Sequence, residues 1–425
     1  MSGASELAIH GGTPVFEGQW PSWPQIAAES SRVKQVLSGT RWAVSGNWTG
    51  ECTLDEVFAQ RFAEFVGAKW CVPTDHGSSA LLAAFTALGV GPGDEVIVPG
   101  LTWVACASTV IRAGAVPILV DIDADTLCVD PAAVEAAVTD RTAAILVVHL
   151  YSAMADMDRI RAVAAKAGIP VVEDAAQAHG AQWHDRSAGS LGDIGTFSMQ
   201  QGKVLTSGEG GAAVTSDESL RVKLEQLRGD GRRYAPVTDR RVGYPDLVED
   251  AGPQGWNMHL SEVQAAMLLD GLERLPEQNA VRAEAGAMLD EAFAAVPGTE
   301  VIRPYLANTR RTYYHYVIRL DREEFAGHSI DSICRAVSAE IGFFVHPPYP
   351  PLNAHRLYRP TEHPLTRTAG IAVFDPQQFT LPEAHRQVAR AATIHHSLLL
   401  ADRPALHAVV EAFDKVRRSA RFIEE

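Results

Sequence analysis

The residue with the clearest capacity for chemistry is Lys203, which lies in a run of small and uncharged residues. The run reads Ser198-Met-Gln-Gln-Gly-Lys203-Val-Leu-Thr-Ser-Gly-Glu-Gly-Gly211. The other lysines lie in polar helical patterns or just before a predicted strand. A lysine ammonium is rarely buried unless it is paired or takes part in a reaction. This segment alone is equally compatible with a solvated loop lysine and with a reactive amine.

A second candidate group lies upstream, in Asp75-His76-Gly77-Ser78-Ser79. A predicted strand ends just before it and a predicted helix begins within it. Gly77, Ser78 and Ser79 would offer backbone N–H groups and hydroxyls at the positive end of a helix dipole, which suits a phosphate group. An ordinary serine N-cap explains the same residues.

Two further side chains follow predicted strands. Trp103 comes after the strand at 95–99, where it could stack on a flat ring or simply join the core. Glu173 and Asp174 end the strand at 170–173. Adjacent strand residues point in opposite directions. One carboxylate must therefore face inward or into a crevice and needs a partner there, such as a pyridinium N–H or an arginine.

The elements that must position these residues alternate between strand and helix. Apolar runs predict strands at 70–73, 95–99, 116–121, 143–149 and 170–173, with helices between them. Continuous apolar strands are typical of a parallel sheet buried on both faces, built from right-handed strand–helix–strand units. Ligands of such sheets bind beyond the carboxyl ends of the strands. Two more strands, at 195–199 and 211–215, flank the lysine segment.

Gly89-Val-Gly91-Pro-Gly93 does not predict a dinucleotide site. It follows a helix and precedes a strand, which is the reverse of the order that a dinucleotide fingerprint requires. We interpret it as a turn.

The regular alternation of strand and helix does not continue in the second half of the chain. Residues 229–256 form a long segment that we expect to be a functional or interface loop. A long helix begins near Leu260, and a strand is predicted at 312–320, with helices at 329–341, 382–399 and 405–416. We therefore expect an irregular segment at 1–30, a large α/β domain at 31–275 and a smaller α+β domain at 276–425. His395 and His396 would diverge on a helix, so we predict no metal site.

Composition excludes several classes of protein. The formal charge of −15 argues against nucleic acid or an anionic membrane as a partner. No apolar run is long enough to span a bilayer, and the first residues do not resemble a secretory signal. The five cysteines form no CxxC pair. We expect them to be reduced, in a cytoplasmic protein.

Together these residues form a set. Gly77, Ser78, Ser79 and Ser198 would hold a phosphate, and Trp103 would stack on a ring. Asp174 would pair with a ring nitrogen, and Lys203 would supply the amine for a Schiff base. A site for pyridoxal 5′-phosphate requires these four functions.

The motifs that carry these residues resemble the DegT/StrS sugar-aminotransferase family over nearly the whole chain. They are Gly77-Ser-Ser-Ala-Leu, Pro99-Gly-Leu-Thr-Trp-Val-Ala, Val172-Glu-Asp-Ala-Ala-Gln-Ala-His-Gly, the lysine segment and Gly255-Trp-Asn-Met-His-Leu-Ser-Glu. The resemblance implies a fold-type-I enzyme of the aspartate-aminotransferase kind. Such an enzyme has a large, mostly parallel sheet domain, a smaller α+β C-terminal domain and bound pyridoxal phosphate.

The resemblance also implies further roles. Gln177 would lie near the ring hydroxyl of the cofactor. Asn257 would reach the phosphate from a neighbouring subunit, which makes the protein a homodimer with shared active sites. His346 and Tyr349 lie in a segment similar to one on the substrate side of the family.

Two histidines remain as possible substrate contacts. His259 stands where many relatives have arginine, so the acceptor end of the site would differ in charge. His179 is either catalytic or held in place by the turn after its strand.

The lysine motif resembles the cyclitol branch of the family. That branch implies transfer of an amino group from L-glutamine, glutamate or alanine to a ketone such as scyllo-inosose or 2-deoxy-scyllo-inosose, in aminoglycoside antibiotic biosynthesis. The alternatives are an aminotransferase for a nucleotide-linked keto-sugar, an enzyme similar to the aminohydroxybenzoate synthases, and a catalytically silent partner subunit. Related sugar dehydratases replace the lysine, and the presence of Lys203 argues against that activity.

Overall fold

The computed structural model describes residues 7–25, 30–367 and 375–423. Residues 1–6 and 26–29 of the predicted N-terminal segment therefore lie outside the described residues. The strands are β1 (Trp70–Thr74), β2 (Glu95–Pro99), β3 (Val116–Val120), β4 (Thr142–Val148), β5 (Val171–Asp174), β6 (Gln182–Trp183), β7 (Arg186–Ser187), β8 (Ile194–Ser198), β9 (Gly211–Thr215), β10 (Arg232–Tyr234), β11 (Leu247–Glu249), β12 (Thr299–Val301), β13 (His315–Leu320), β14 (Val345–His346) and β15 (Ala391–His395). The helices are α1 (Ser31–Ser38), α2 (Leu54–Val66), α3 (Gly77–Ala87), α4 (Ala105–Arg112), α5 (Pro131–Ala137), α6 (Met157–Ala167), α7 (Glu218–Arg228), α8 (Glu262–Phe293), α9 (Ile330–Ile341), α10 (Pro382–Val388) and α11 (Arg403–Arg418).

The predicted parallel sheet is confirmed. Seven strands pair in the order β1-β9-β8-β5-β4-β2-β3. The pairs from β8 to β3 are parallel, and β9 alone runs antiparallel to its two neighbours. Every residue of β2 and β5 is buried, as expected of strands covered by helices on both faces. The carboxyl ends of β1, β2, β5 and β8 therefore meet at one edge.

A second, antiparallel sheet follows in the order β12-β13-β15-β14. The helix predicted at 382–399 is wrong, because only Pro382–Val388 is helical and Ala391–His395 is a strand. That strand pairs with β13 on one side and β14 on the other. Pairing on both sides and burial there outweigh the helical preference of its alanines. His395 and His396 consequently do not diverge on a helix.

Helix α8 joins the two halves as one continuous element with Pro276 inside it. Leu268 and Leu275, near its beginning, pack in the hydrophobic core around the large sheet. Leu289 and Phe293, near its end, pack in a second core around the small sheet. A division of the chain near residue 275 remains our proposal.

The long segment at 229–256 contains a hairpin of β10 and β11. It lies beside residues 43–48, where Trp48 donates its backbone N–H to the Tyr244 carbonyl at 2.7 Å. Among the described residues, no helix combines the length and the apolar character that a membrane crossing requires.

Candidate active site

A cavity of about 500 Å³ opens at the edge where the strands of the large sheet end. It brings together nine of the predicted site residues: Gly77, Ser78, Trp103, Asp174, Gln177, Ser198, Lys203, His346 and Tyr349. Four predicted residues lie elsewhere: Ser79, His179, Asn257 and His259. The rule that ligands of α/β sheets bind beyond the strand ends places the cavity correctly.

The first turn of α3 forms one wall of the cavity. The helix begins at Gly77, and its N-cap residue is His76, whose side chain makes no capping hydrogen bond. The alternative of an ordinary serine N-cap is therefore wrong. Ser79 lies in the same turn and donates its N–H to the His76 carbonyl at 3.1 Å. The positive end of the helix dipole is left open to an acceptor in the cavity.

Glycine at position 77 allows Ser198, at the end of β8, to lie directly against this turn. A Cβ atom on residue 77 would stand 2.7 Å from the Cβ of Ser198. Gly211, at the start of β9, is equally confined, because its Cβ would stand 2.4 Å from the carbonyl carbon of His76. The two glycines together form a close cup of backbone and serine groups.

Lys203 lies in the loop between the antiparallel strands β8 and β9. Backbone hydrogen bonds close this loop, from Met199 to Gly210 and from Gln201 to Gly208, each at 2.8 Å. The Lys203 Nζ lies 4.0 Å from the centroid of the Tyr314 ring. In the described part of the chain it makes no salt bridge, so the amine is held by a ring face instead of a carboxylate.

The two adjacent carboxylates, Glu173 and Asp174, point in opposite directions and have different hydrogen-bond partners. Glu173 points into the protein, where it meets His149 Nε2 at 2.9 Å and accepts the N–H groups of Gly189, Leu191 and Gly192 at 2.9, 2.6 and 2.6 Å. Burial acts to raise the pKa of Glu173, but the hydrogen bonds and the charge of His149 outweigh it and lower that pKa.

Asp174 faces the cavity instead. Its Oδ1 accepts the Ala176 N–H at 3.0 Å, and its Oδ2 accepts the Cys106 thiol at 3.1 Å. Burial and the nearby Asp174 charge raise the pKa of Cys106 well above its ordinary value. The thiol therefore stays protonated and acts as a donor to Asp174.

Aromatic side chains close the other side of the cavity. Trp103 is 46 % exposed, so the alternative of a core residue is wrong. The centroid of its ring lies 5.6 Å from that of Tyr349, whose backbone N–H donates to the Tyr151 hydroxyl at 3.1 Å.

Two polar side chains of the cavity are held by hydrogen bonds. Gln177 accepts the Tyr151 N–H at 2.8 Å, which fixes the orientation of the Gln177 amide. His346 Nδ1 lies 3.0 Å from the hydroxyl oxygen of Thr393 on β15.

Besides Ser79, three predicted residues lie outside the cavity of their own chain. His179 is fully buried against Phe62 and Phe197, and burial lowers its pKa to about 3. His259 is partly buried with both ring nitrogens covered, and this burial lowers its pKa to about 3. Both are therefore neutral near pH 7. Asn257 is exposed and forms a single bridge with Gly229.

Several lining residues were not predicted as site residues: His76, Gln200, Glu209, Tyr314 and His315. The run of tyrosine and histidine at 313–316, on a predicted strand, is a weak signal for Tyr314 and His315. Their approach to Lys203 depends on how the small sheet packs against the lysine loop, which a local pattern does not show.

The fold and the cavity define the chain as an α/β aminotransferase of fold type I. It belongs to the DegT/DnrJ/EryC1/StrS aminotransferase family, which it matches over residues 27–386.

Named relatives cover almost the whole chain. The chain is 48% identical over 415 residues to the L-glutamine:2-deoxy-scyllo-inosose aminotransferase of Micromonospora echinospora, covering 96% of this chain and 97% of the relative. It is 42% identical over 430 residues to the L-glutamine:scyllo-inosose aminotransferase of Streptomyces griseus, covering 98% and 99%. Among solved structures, 3-amino-5-hydroxybenzoic acid synthase is similar, with 31% identity, a TM-score of 0.77, and coverage of 94% of this chain and 98% of that one.

Proposed function

We propose that this aminotransferase transfers the amino group of L-glutamine to a cyclitol ketone, 2-deoxy-scyllo-inosose or scyllo-inosose, in the biosynthesis of an aminoglycoside antibiotic. The observation that carries the proposal is that Lys203 and Asp174 line the same cavity at the strand ends. The relatives with these activities support the choice of donor and acceptor.

The residues of the cavity fit pyridoxal phosphate as the cofactor. The cup formed at Gly77 and Ser198 has no room for a further Cβ, and the open end of α3 suits a phosphate. The exposed face of Trp103 suits a flat ring, and the Asp174 carboxylate suits a ring N–H. When bound, this cofactor supplies a conjugated ring that takes up the electron pair released at the substrate carbon.

The side chains of the chain would then divide the remaining work. Lys203 would hold the cofactor covalently, and its amine would remove and return the proton on the carbon that bears the amino group. Asp174 would orient the ring by accepting its N–H, and Gln177 would lie beside the ring hydroxyl. Ser78, Ser79 and Ser198 would hold the phosphate. His346 and Tyr349, which line the cavity, remain our candidates for positioning the substrates, whereas His179 and His259 lie outside the cavity of their own chain.

Replacement of Lys203 tests the proposal. We expect Lys203→Ala to abolish amino transfer from L-glutamine and to remove the visible absorbance that borohydride discharges in the wild type. Lys166→Ala is the matched control, because Lys166 is exposed and pairs with Glu135 on the surface. Full turnover by Lys203→Ala would show that the assignment is wrong.

The choice of acceptor distinguishes the other activities. We expect turnover of 2-deoxy-scyllo-inosose or scyllo-inosose, and little turnover of a UDP- or dTDP-linked keto-sugar. Turnover of the nucleotide-linked ketone alone would contradict the cyclitol proposal. A silent partner subunit would turn over neither, although the joint placement of Lys203 and Asp174 argues against one.

We also propose a homodimer in which Asn257 of each subunit completes the site of its partner. Asn257 is exposed and follows the exposed Trp256 in the chain, and Trp42, Val242 and Tyr244 are also large apolar side chains exposed to solvent. Such exposed apolar groups are typical of contact surfaces between proteins.

Mixed dimers test this arrangement. Lys203→Ala and Asn257→Ala subunits, each inactive alone, should regain about a quarter of the wild-type activity when they are unfolded together and refolded, because a two-fold dimer then has one intact shared site in half of its molecules. No recovery would show that Asn257 acts within its own subunit.

A cytoplasmic location remains a proposal. It is supported by the five cysteines, which are all free.

A further inference from the structure

Ring N–H groups from both ends of the chain converge on the backbone just before the lysine of the site. Trp23 Nε1 donates to the Gln201 carbonyl at 2.9 Å. The Nε2 atoms of His395 and His396 lie 3.0 and 3.1 Å from the Gly202 carbonyl oxygen. Two consecutive carbonyl groups are thus contacted by three aromatic rings.

The surroundings of the two histidines fix which nitrogen carries the proton. His395 Nδ1 lies 2.9 Å from the Ser397 hydroxyl oxygen and accepts the Ser397 N–H at 3.3 Å. Because Nδ1 accepts, Nε2 carries the hydrogen and donates to Gly202. His396 is fully buried, and its Nε2 faces the same carbonyl oxygen, so it too must carry a hydrogen there.

Both imidazoles are held in the neutral form. Burial lowers the pKa of His395, and the charge of Arg282 lowers it too. Burial lowers the pKa of His396 further, with contributions from His395 and Arg282. Arg282 is itself fully buried, and its guanidinium lies 5.2 Å from the Trp23 ring. Its Nε and Nη2 have no hydrogen-bond acceptor among the described residues. A fixed positive charge at this place disfavours a second one on either ring.

The same segment also holds the ring on which the lysine amine rests. His396 donates its backbone N–H to the Tyr314 carbonyl at 3.2 Å. Tyr314 donates its own N–H to the Tyr151 carbonyl at 2.8 Å, and its ring centroid lies 4.0 Å from Lys203 Nζ. The end of β15 therefore fixes both the peptide group before Lys203 and the surface under its amine.

We infer that His395, His396 and Trp23 are positioning residues that set the direction of the Lys203 side chain by holding the carbonyl groups of Gln201 and Gly202. None of the three lines the cavity, so they act through the loop and not on the substrate. The inference rests on the proposed role of Lys203 as the reactive amine.

Paired variants of His396 separate the hydrogen bond from the bulk of the ring. His396→Phe keeps a ring but removes the donor, whereas His396→Gln keeps an N–H group near the position of Nε2. His385→Phe is the control, because His385 is exposed on α10 and far along the chain from the lysine loop. Trp23→Phe removes the other donor and serves as a second, independent variant.

The readout is the reactivity of Lys203 in cofactor-free protein, which does not depend on catalysis. Protein is treated with formaldehyde and cyanoborohydride over a range of pH, and the modification of Lys203 is measured by peptide mass spectrometry relative to Lys166. We expect His396→Phe and Trp23→Phe to change the relative rate at Lys203 about fivefold, because the displaced amine leaves the face of the Tyr314 ring. His396→Gln and His385→Phe should stay within about twofold of wild type.

The kinetics of the loaded enzyme give a second readout. We expect kcat of His396→Phe to fall about tenfold with KM for L-glutamine nearly unchanged, because an interaction used after binding is lost. Wild-type reactivity of Lys203 in His396→Phe would overturn the inference, as would equal losses in the Phe and Gln variants. If His396→Phe does not fold, the Trp23→Phe rate decides. A wild type without transaminase activity would refute the proposed function, and the labelling rates would still decide this inference.

Discussion

Replacing Glu173 by glutamine should destabilise the protein strongly, although it changes one atom. Each carboxylate oxygen of Glu173 serves two donors. Oε1 accepts from Leu191 and Gly192, and Oε2 faces His149 and accepts from Gly189. A glutamine side chain can place its oxygen on only one side.

The loss of stability in Glu173→Gln follows from the number of donors to each carboxylate oxygen. The amide NH₂ of glutamine would face two buried donors, which then have no acceptor. A hydrogen bond to a charged group contributes about 1.5–3 kcal/mol, so the loss of two costs about 3–6 kcal/mol. That is a large part of the roughly 5–15 kcal/mol by which a domain is stable.

Urea unfolding followed by circular dichroism measures this loss. Glu135→Gln is the control, because Glu135 is exposed and its pair with Lys166 is worth less than about 1 kcal/mol. A loss for Glu173→Gln as small as that of the control would refute the reasoning. It would mean that water, not the carboxylate, satisfies the buried N–H groups.

Three other substitutions have expected outcomes in the same unfolding measurement. Gly77→Ala should lower the free energy of unfolding by about 1–3 kcal/mol through overpacking, and should also weaken cofactor binding. Gly91→Ala is the control, because no atom lies within 4 Å of its added Cβ, and it should do neither. Equal behaviour of the two variants would contradict the close packing of Gly77 against Ser198. The pKa of His179 falls from 6.5 to about 3 on folding. The free energy of unfolding is therefore unaffected by His179 above pH 6.5 and decreases as the pH falls towards 3, because only the unfolded chain takes up the proton. At pH 5 this amounts to about 2 kcal/mol, and His179→Gln should reduce the decline between pH 7 and pH 5 by that amount. Asp55→Ala leaves the buried guanidinium of Arg228 without the carboxylate at 2.9 Å and should cost about 3–5 kcal/mol, and a cost below 1 kcal/mol would show that water replaces the carboxylate.

The large sheet was predictable because its strands have a local signature. Continuous apolar runs such as Val96-Ile-Val98 have to be buried on both faces, and helices of matching length separate them. The rule for strand ends then predicts that Ser78, Asp174 and Lys203 lie near one another. The alternation rule also requires Glu173 and Asp174 to point in opposite directions, but it does not say which of them faces inward.

The remaining features depend on contacts between distant parts of the chain. Residues 391–395 combine two alanines, which favour a helix, with Thr393 and Ile394, which favour a strand, and the pairing with β13 and β14 decides between the two. Tyr314 meets Lys203 through the packing of one sheet against a loop of the other half. Asn257 has no place in the cavity of its own chain, so a single subunit does not test its predicted role.

The ring contacts behind Lys203 have a consequence for the order of folding. The loop meets Trp23, which is made long before it, and His395 and His396, which are made long after it. During synthesis from the amino end, domains generally fold as they emerge. The large sheet can form early, but the lysine loop cannot take its final shape until residues 395 and 396 have been added. A shortened chain that ends before β15 would therefore keep the strands of the site and lack a correctly held amine, so the cell would gain no partial activity from an incomplete product.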